Sequence, residues 1–356
     1  MEHIVGRFPT PLLNIFEVNE TNKSQYDHHN GSHMFRRATP DISTEEDLQA
    51  FLQGSSAQEF LAFIVYLNDS VRGREMPTAD ISTAMTMNPY LKSLVDILDK
   101  LGEWVDEIPP RTDVPIRFGN PAFRTWLERV RERAPEMLRH MMTREASSQS
   151  QSQSQEIVSL APLIVEIQSY FVESFGNATR IDYGTGHETT FVAMLFCMAK
   201  VGLVQQEDAV DVVERVFVQY LDTVRKVQRV YCLEPAGTRG VWGLDDYQML
   251  PFMWGSSQLV DHPVIRPSSI YDSRIVETYH RQYLYIGCIK FIRDIKNGPF
   301  HETSPMLHDI SGLPSWSKIN GGMMKMYVGE ILRKRQVMQH FLIGSIITLD
   351  TKSINQ

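Results

Sequence analysis

Apolar residues in this chain recur three and four positions apart and almost nowhere alternate with polar ones. That spacing follows the turn of an α-helix and leaves little room for half-buried strands. Phe60, Leu61, Phe63, Ile64 and Leu67 form one stripe. Leu91, Leu94, Val95, Leu98 and Leu101 form a second, and Phe123, Trp126, Leu127 and Val130 a third. Helix-start signals precede them. Ser43-Thr-Glu-Glu46 and Ser56-Ala-Gln-Glu59 have capping-box form, in which a hydroxyl and a carboxylate satisfy the free amides of the first turn. Asn88-Pro89 and Asn120-Pro121 each join a capping side chain to a proline at the first helical position, where a missing N–H costs nothing. Further helices are expected over about 156–175, 186–203, 206–231, 272–297 and 320–335. Only Ser345-Ile-Ile-Thr-Leu349 has an extended pattern, and no fixed-period repeat indicates a solenoid. The expectation is an all-α, multi-helix fold with few or no strands.

With 42% hydrophobic and 22% charged residues among 356, the chain can bury a sizeable core. Residues 41–350 are expected to form one domain. The polar, irregular stretch 1–40 reads as a mobile arm, docked in part through Leu12, Leu13, Ile15 and Phe16. The Ser/Gln tract at 146–155 has too little apolar surface to offset its ordering entropy and reads as a disordered loop. Residues 351–356 are a short tail. A formal charge of −8 without a basic block argues against nucleic-acid partners, which need clustered Lys and Arg. An acidic surface also resists anionic membranes. The longest apolar run, Phe191 to Val204, is broken by Lys200 and is too short to span a bilayer. No signal-peptide pattern opens the chain. Cys197, Cys232 and Cys288 lie far apart without metal-ligand spacing and read as reduced thiols. Together these features predict a cytoplasmic protein, with the nucleus also accessible.

Several familiar chemistries are absent. There is no P-loop, Gly184-Thr-Gly186 lacks the third glycine of a dinucleotide fingerprint, and no nucleophile elbow or kinase catalytic loop occurs. His187-Glu188 begins like a zinc-protease helix, but position 191 is Phe191 rather than histidine.

Three stretches interrupt the apolar helices with glycine and polar residues. In Phe175 to Glu188, free amides at a helix start and Arg180 suit a phosphate. An equally plain alternative is a connecting loop with Thr185 as N-cap and Arg180 paired to Asp182. In Tyr231 to Gln248, adjacent carboxylates Asp245 and Asp246 among glycines suit a hard cation such as Mg²⁺, with Trp242 and Tyr247 offering aromatic surface. The alternative is that Asp245 caps a helix and Trp242 lies in the core. In Met249 to Leu259, an aromatic–Met surface suits a proline-containing peptide, or else ordinary core packing.

These segments resemble the phosphotyrosyl phosphatase activator family, the protein phosphatase 2A activators, in its short fungal form. The carrying motifs are Arg117-Phe-Gly-Asn-Pro-Ala-Phe-Arg124, Asn177-Ala-Thr-Arg-Ile-Asp-Tyr-Gly-Thr-Gly-His-Glu188, Glu234-Pro-Ala-Gly-Thr-Arg-Gly-Val-Trp-Gly-Leu-Asp-Asp-Tyr-Gln248 and Leu250-Pro-Phe-Met-Trp-Gly-Ser-Ser-Gln-Leu259. Trp316 to Tyr327 and Gln339-His-Phe341 match as well. The resemblance covers residues from about 40 to 350. It implies a helical core, lid and linker around an ATP cleft, and association with the catalytic and scaffold subunits of phosphatase 2A and with related phosphatases. It also implies promotion of the metal-loaded phosphatase and peptidyl-prolyl cis-trans isomerase activity on proline-containing peptides. Carried onto this sequence, Arg180, Thr185 and Gly186 contact the ATP phosphates, and Gly240 and Asp246 lie at Mg²⁺, with Asp245 behind them. Gln339, His340 and Phe341 close around the nucleotide. Trp242, Phe252, Met253 and Trp254 are the candidate groove residues for isomerisation. Competing readings are an isomerase with other substrates and a phosphatase-binding module that needs no nucleotide.

Overall fold

The computed structural model describes residues 34–77, 87–113, 118–144, 161–237 and 240–349. The expected loop at 146–155, the tail at 351–356 and most of the expected arm lie outside the described residues. The principal helices are α1 (Glu45–Gln53), α2 (Ser55–Ser70), α3 (Pro89–Glu107), α4 (Ala122–Arg144), α5 (Ile164–Glu173), α6 (Thr185–Lys200), α7 (Val218–Tyr231), α8 (Leu250–Gln258), α9 (Leu284–Ile295) and α10 (Trp316–Tyr327). Among the described residues, extended pairing in named strands is limited to β1 (Asp182–Tyr183) and β2 (Glu234–Pro235). The all-α expectation holds.

Local chemistry explains the helix starts. Asn88 accepts a hydrogen bond from the Tyr90 amide at 2.9 Å, with Pro89 behind it in the first turn. Asn120 accepts from the amides of Ala122 and Arg111, both at 3.0 Å. The first capping box is shifted by one residue: Thr44 and Asp47 form it, not Ser43 and Glu46. The second is not formed, because α2 begins at Ser55 behind Gly54, with no side-chain cap. The residues after Gly344 make bends rather than a strand. The described end of the expected arm, from residue 34, is packed onto the domain. Ala38 is buried, and Thr39 and Ile343 exchange backbone hydrogen bonds at 3.0 and 2.7 Å.

One continuous apolar core joins all the principal helices. α6 is buried on nearly every face and packs on α5, and α7 packs on α3. α8 is enclosed by α2, α9 and α10. This burial corrects part of the expected peptide groove. Phe252, Met253 and Trp254 are each at most 1% exposed, with the Trp254 indole donating to the Ile64 carbonyl. A helix packed on several sides has no face left for a peptide, so these three are core residues.

Candidate functional site: a cleft closed by two loops

The loop after α5 and the loop after α7 are stitched together by the short parallel ladder. The amide of Glu234 donates to the Ile181 carbonyl at 3.0 Å, and that of Ala236 to the Tyr183 carbonyl at 2.7 Å. The approach is close: a Cβ on Gly184 would lie 2.9 Å from the Ala236 Cβ. Beside the ladder, Ile181 is held at φ 53, a left-handed conformation costly for a β-branched residue and typical of sites where structure overrides local preference.

The ladder places both loops on one cleft of about 1480 Å³, larger than the roughly 300–1,000 Å³ of an ordinary small-molecule site. Its lining includes Arg180, Thr185, Gly186, Gly240, Asp246, His340 and Phe341. Residues from three distant parts of the sequence therefore line one cleft. Gln339 is not in the lining. Its amide donates to the Gln336 carbonyl at 3.2 Å and lies 3.4 Å from the His340 ring. Phe341 reaches the cleft from the core, where its ring packs against Phe51 and Phe60. Trp242 is not a core residue; it is 74% exposed on the turn Gly240–Trp242.

The phosphate-suited end is built on α6. Its N-cap is Gly184, not Thr185, and no side chain caps it. Helix-start amides left this way, together with the helix dipole, attract an anion. Arg180 donates from Nε to Asp182 Oδ2 at 2.5 Å, so the local pair exists. It uses only one of five guanidinium donors. The other oxygen, Asp182 Oδ1, is buried in the cleft wall without a hydrogen-bond partner. His187 Nδ1 bonds the Glu173 carbonyl at 2.7 Å, and its Nε2 faces Asp182 Oδ1 at 4.0 Å. Burial holds the His187 and His340 imidazoles below the usual range and pushes the Glu173 carboxyl up.

The acidic end is the turn at 245–248. Asp245 Oδ2 accepts from the amides of Tyr247 and Gln248 at 2.9 and 3.0 Å, so it does cap a turn, although the helix itself begins only at Leu250. Burial pushes its carboxyl up. Asp246 carries a different partner: Lys296 Nζ stands 2.8 Å from Oδ2. Among the described residues no group of three or more His, Cys, Asp or Glu could hold a metal alone. A single carboxylate and a backbone carbonyl fit Mg²⁺ in kind, because that ion takes one or two carboxylates and completes its shell with water and phosphate oxygens.

Glu188 was legible only as half of a failed metal motif. It is fully buried beneath the cleft, where Oε2 accepts from the amides of Met249 and Leu250 at 2.9 and 3.0 Å. It thereby ties α6 to the start of α8. Burial raises its carboxyl to about 8. An unfolded chain releases this proton near pH 4.5, whereas the folded chain keeps it to about 8. The contribution of this group to stability therefore falls as pH rises between those values, by up to about 1.4 kcal/mol per pH unit. Glu188→Gln keeps both amide bonds and loses this slope. Thermal melts of both proteins across that window check it; parallel curves would refute it.

Residues 38–349 match the family described as "Phosphotyrosyl phosphate activator (PTPA) protein". This chain belongs to the PTPA family. Its relatives include a "Probable serine/threonine-protein phosphatase 2A activator 1" of Dictyostelium discoideum, 40% identical over 318 residues, covering 89% of this chain and 92% of that one. A "Serine/threonine-protein phosphatase 2A activator 2" of Yarrowia lipolytica is 40% identical over 317 residues, covering 89% and 82%. The PTPA fold is also seen in the crystal structure of the PP2A phosphatase activator Ypa1 PTPA1. It superposes with a TM-score of 0.74 at 31% identity, covering 88% of this chain and 94% of that one.

Proposed function

We propose that this PTPA-family chain activates a phosphatase of the 2A type, and does so with ATP–Mg²⁺ held in the cleft. The observation that carries the reading is the β1–β2 ladder, which puts the uncapped start of α6 and the acidic turn on one cavity. Arg180 and the amides of Thr185 and Gly186 hold phosphate oxygens. Asp246 and the Gly240 backbone supply hard oxygens to Mg²⁺, whose contribution is to neutralise phosphate charge. His340 and Phe341 bound the nucleotide, with Gln339 behind His340.

Activation on this reading is a population shift. The loaded cleft binds one state of the catalytic and scaffold subunits better than another, and only that difference in affinity moves the equilibrium. The protein acts where those subunits are, in the cytoplasm and, with access, the nucleus. Asp246→Ala removes a cleft carboxylate, so ATP-dependent activation should be lost; it also unpairs Lys296, so the melting curve should drop by several degrees while the helical content and a cooperative transition remain. A dephosphorylation assay on native phosphatase, with and without ATP–Mg²⁺, decides this. Unchanged activation by the variant would overturn the role of Asp246, and undiminished wild-type activation without ATP would favour a nucleotide-independent module.

A prolyl-isomerase activity is the second reading. The exposed Trp242 at the cleft turn favours it, as an apolar surface on which a twisted X-Pro bond can rest. A protease-coupled assay on a proline peptide with the purified chain tests it, and a rate equal to background would remove it.

A further inference from the structure

The acidic turn already holds a cation. Lys296 is the C-cap residue just after α9, and its side chain reaches from there to Asp246. Its ammonium lies 2.8 Å from Asp246 Oδ2 and donates at 3.3 Å to the Thr303 carbonyl. Both side chains of the pair are largely enclosed, at 18% and 24% exposure, so water screens them little. The neighbouring carboxylate, Asp245, feels the ammonium's charge but makes no hydrogen bond to it, and its Oδ2 is committed to the amides of Tyr247 and Gln248.

A magnesium ion sits roughly 2.0–2.1 Å from its oxygens. It cannot share Oδ2 with an ammonium without strong repulsion between the two cations. A metal arriving alone must therefore displace the ammonium from Oδ2 or, on Oδ1, sit within a carboxylate's width of it; either way two cations compete for one part-buried carboxylate, an unfavourable arrangement. A metal arriving with a polyphosphate meets no such penalty, since an anionic phosphate oxygen can take the ammonium as Asp246 releases it.

We propose that Lys296 is a resident counter-ion for Asp246 that makes metal binding in the cleft conditional on a polyphosphate. This rests on the reading of the cleft as a nucleotide–metal site and adds the residue that couples the two ligands. By linkage the effect is reciprocal: whatever factor the polyphosphate adds to metal affinity, the metal adds to polyphosphate affinity.

The test uses the full chain and Mn²⁺ as a spectroscopic probe, first without nucleotide and then with ATP. Wild type should bind Mn²⁺ weakly alone and much more tightly with ATP. Lys296→Met and Lys296→Gln should bind Mn²⁺ alone on the order of ten-fold more tightly than wild type, and ATP should add less to either than it adds to wild type. Lys296→Arg, which keeps the charge, should behave like wild type. Asp246→Asn should lose the gain in a double variant with Lys296→Met. Equal Mn²⁺ affinity of wild type and both neutral variants without nucleotide would overturn the proposal and leave the pair as a fastening between α9 and the turn. Failure of wild type to bind ATP at all would instead strike the nucleotide reading, while the nucleotide-free comparison still decides the role of Lys296.

Discussion

Gly255→Ala should cost this protein about 3 kcal/mol or more of stability, among the largest effects of any single methyl added to the chain. Gly255 lies in the middle of α8, where an added Cβ would stand 2.1 Å from the backbone nitrogen of Tyr285 and 2.8 Å from its Cα. Neither atom can swing away, because Tyr285 belongs to the first turn of α9 and its ring is locked edge-on against Phe252 and Trp316. The two helices would have to separate, opening the core around Trp254 and losing dispersion contacts on both sides. Alanine favours helix over glycine by about 1 kcal/mol, far less than that separation costs. Denaturant unfolding of the purified variant measures the loss. A variant as stable as wild type would show that the α8–α9 contact yields more easily than its geometry allows.

The second large effect is functional. On the proposed ATP–Mg²⁺ reading of the cleft, Gly184→Val should reduce nucleotide affinity at least about a hundred-fold while leaving the helical content intact. A Cβ there meets the Ala236 Cβ at 2.9 Å and the Ala236 carbonyl at 3.0 Å, and valine adds two further methyl groups at the same point. The strain falls on the hydrogen bond between Ala236 and Tyr183, half of the link that holds the acidic turn opposite the α6 amides. Gly184 itself has extended backbone that any residue adopts, so the effect is one of close approach and not of backbone freedom. Calorimetric titration with ATP–Mg²⁺, paired with far-ultraviolet circular dichroism, separates the two quantities. Undiminished binding would mean that the ladder is incidental to the cleft.

Much of the architecture was readable from spacing. The stripes at 60–67, 91–101 and 123–130 became buried helix faces because a 3.6-residue repeat of apolar side chains has no other economical partner than a core. Asn88-Pro89 worked because cap and proline act within one turn. Capping boxes were less legible: Ser43, Thr44, Glu46 and Asp47 offer overlapping pairs, and the folded chain uses Thr44 with Asp47. The candidate site divides in the same way. Glycine, arginine and aspartate in loops announced Arg180, Gly186 and Asp246. Glu188 and Lys296 did not announce themselves, because their partners lie about sixty and fifty residues away and no local pattern encodes such a pairing. Phe252, Met253 and Trp254 were ambiguous from sequence, since aromatic and methionine residues serve cores and grooves alike.

Glu166 has a consequence for the far end of the chain. This fully buried carboxylate on α5 accepts from the amides of Ser345 and Ile346, each at 2.9 Å, and from the Ser345 hydroxyl. It grips the backbone just beyond His340 and Phe341. A pull on the last residues meets this grip before it reaches the cleft wall, as a clamp on a cable takes the load ahead of the terminal. An extension placed after Gln356 should thus leave the cleft undisturbed. A chain cut short ahead of Ser345 would instead let its new end work loose beside the very residues that line that cavity.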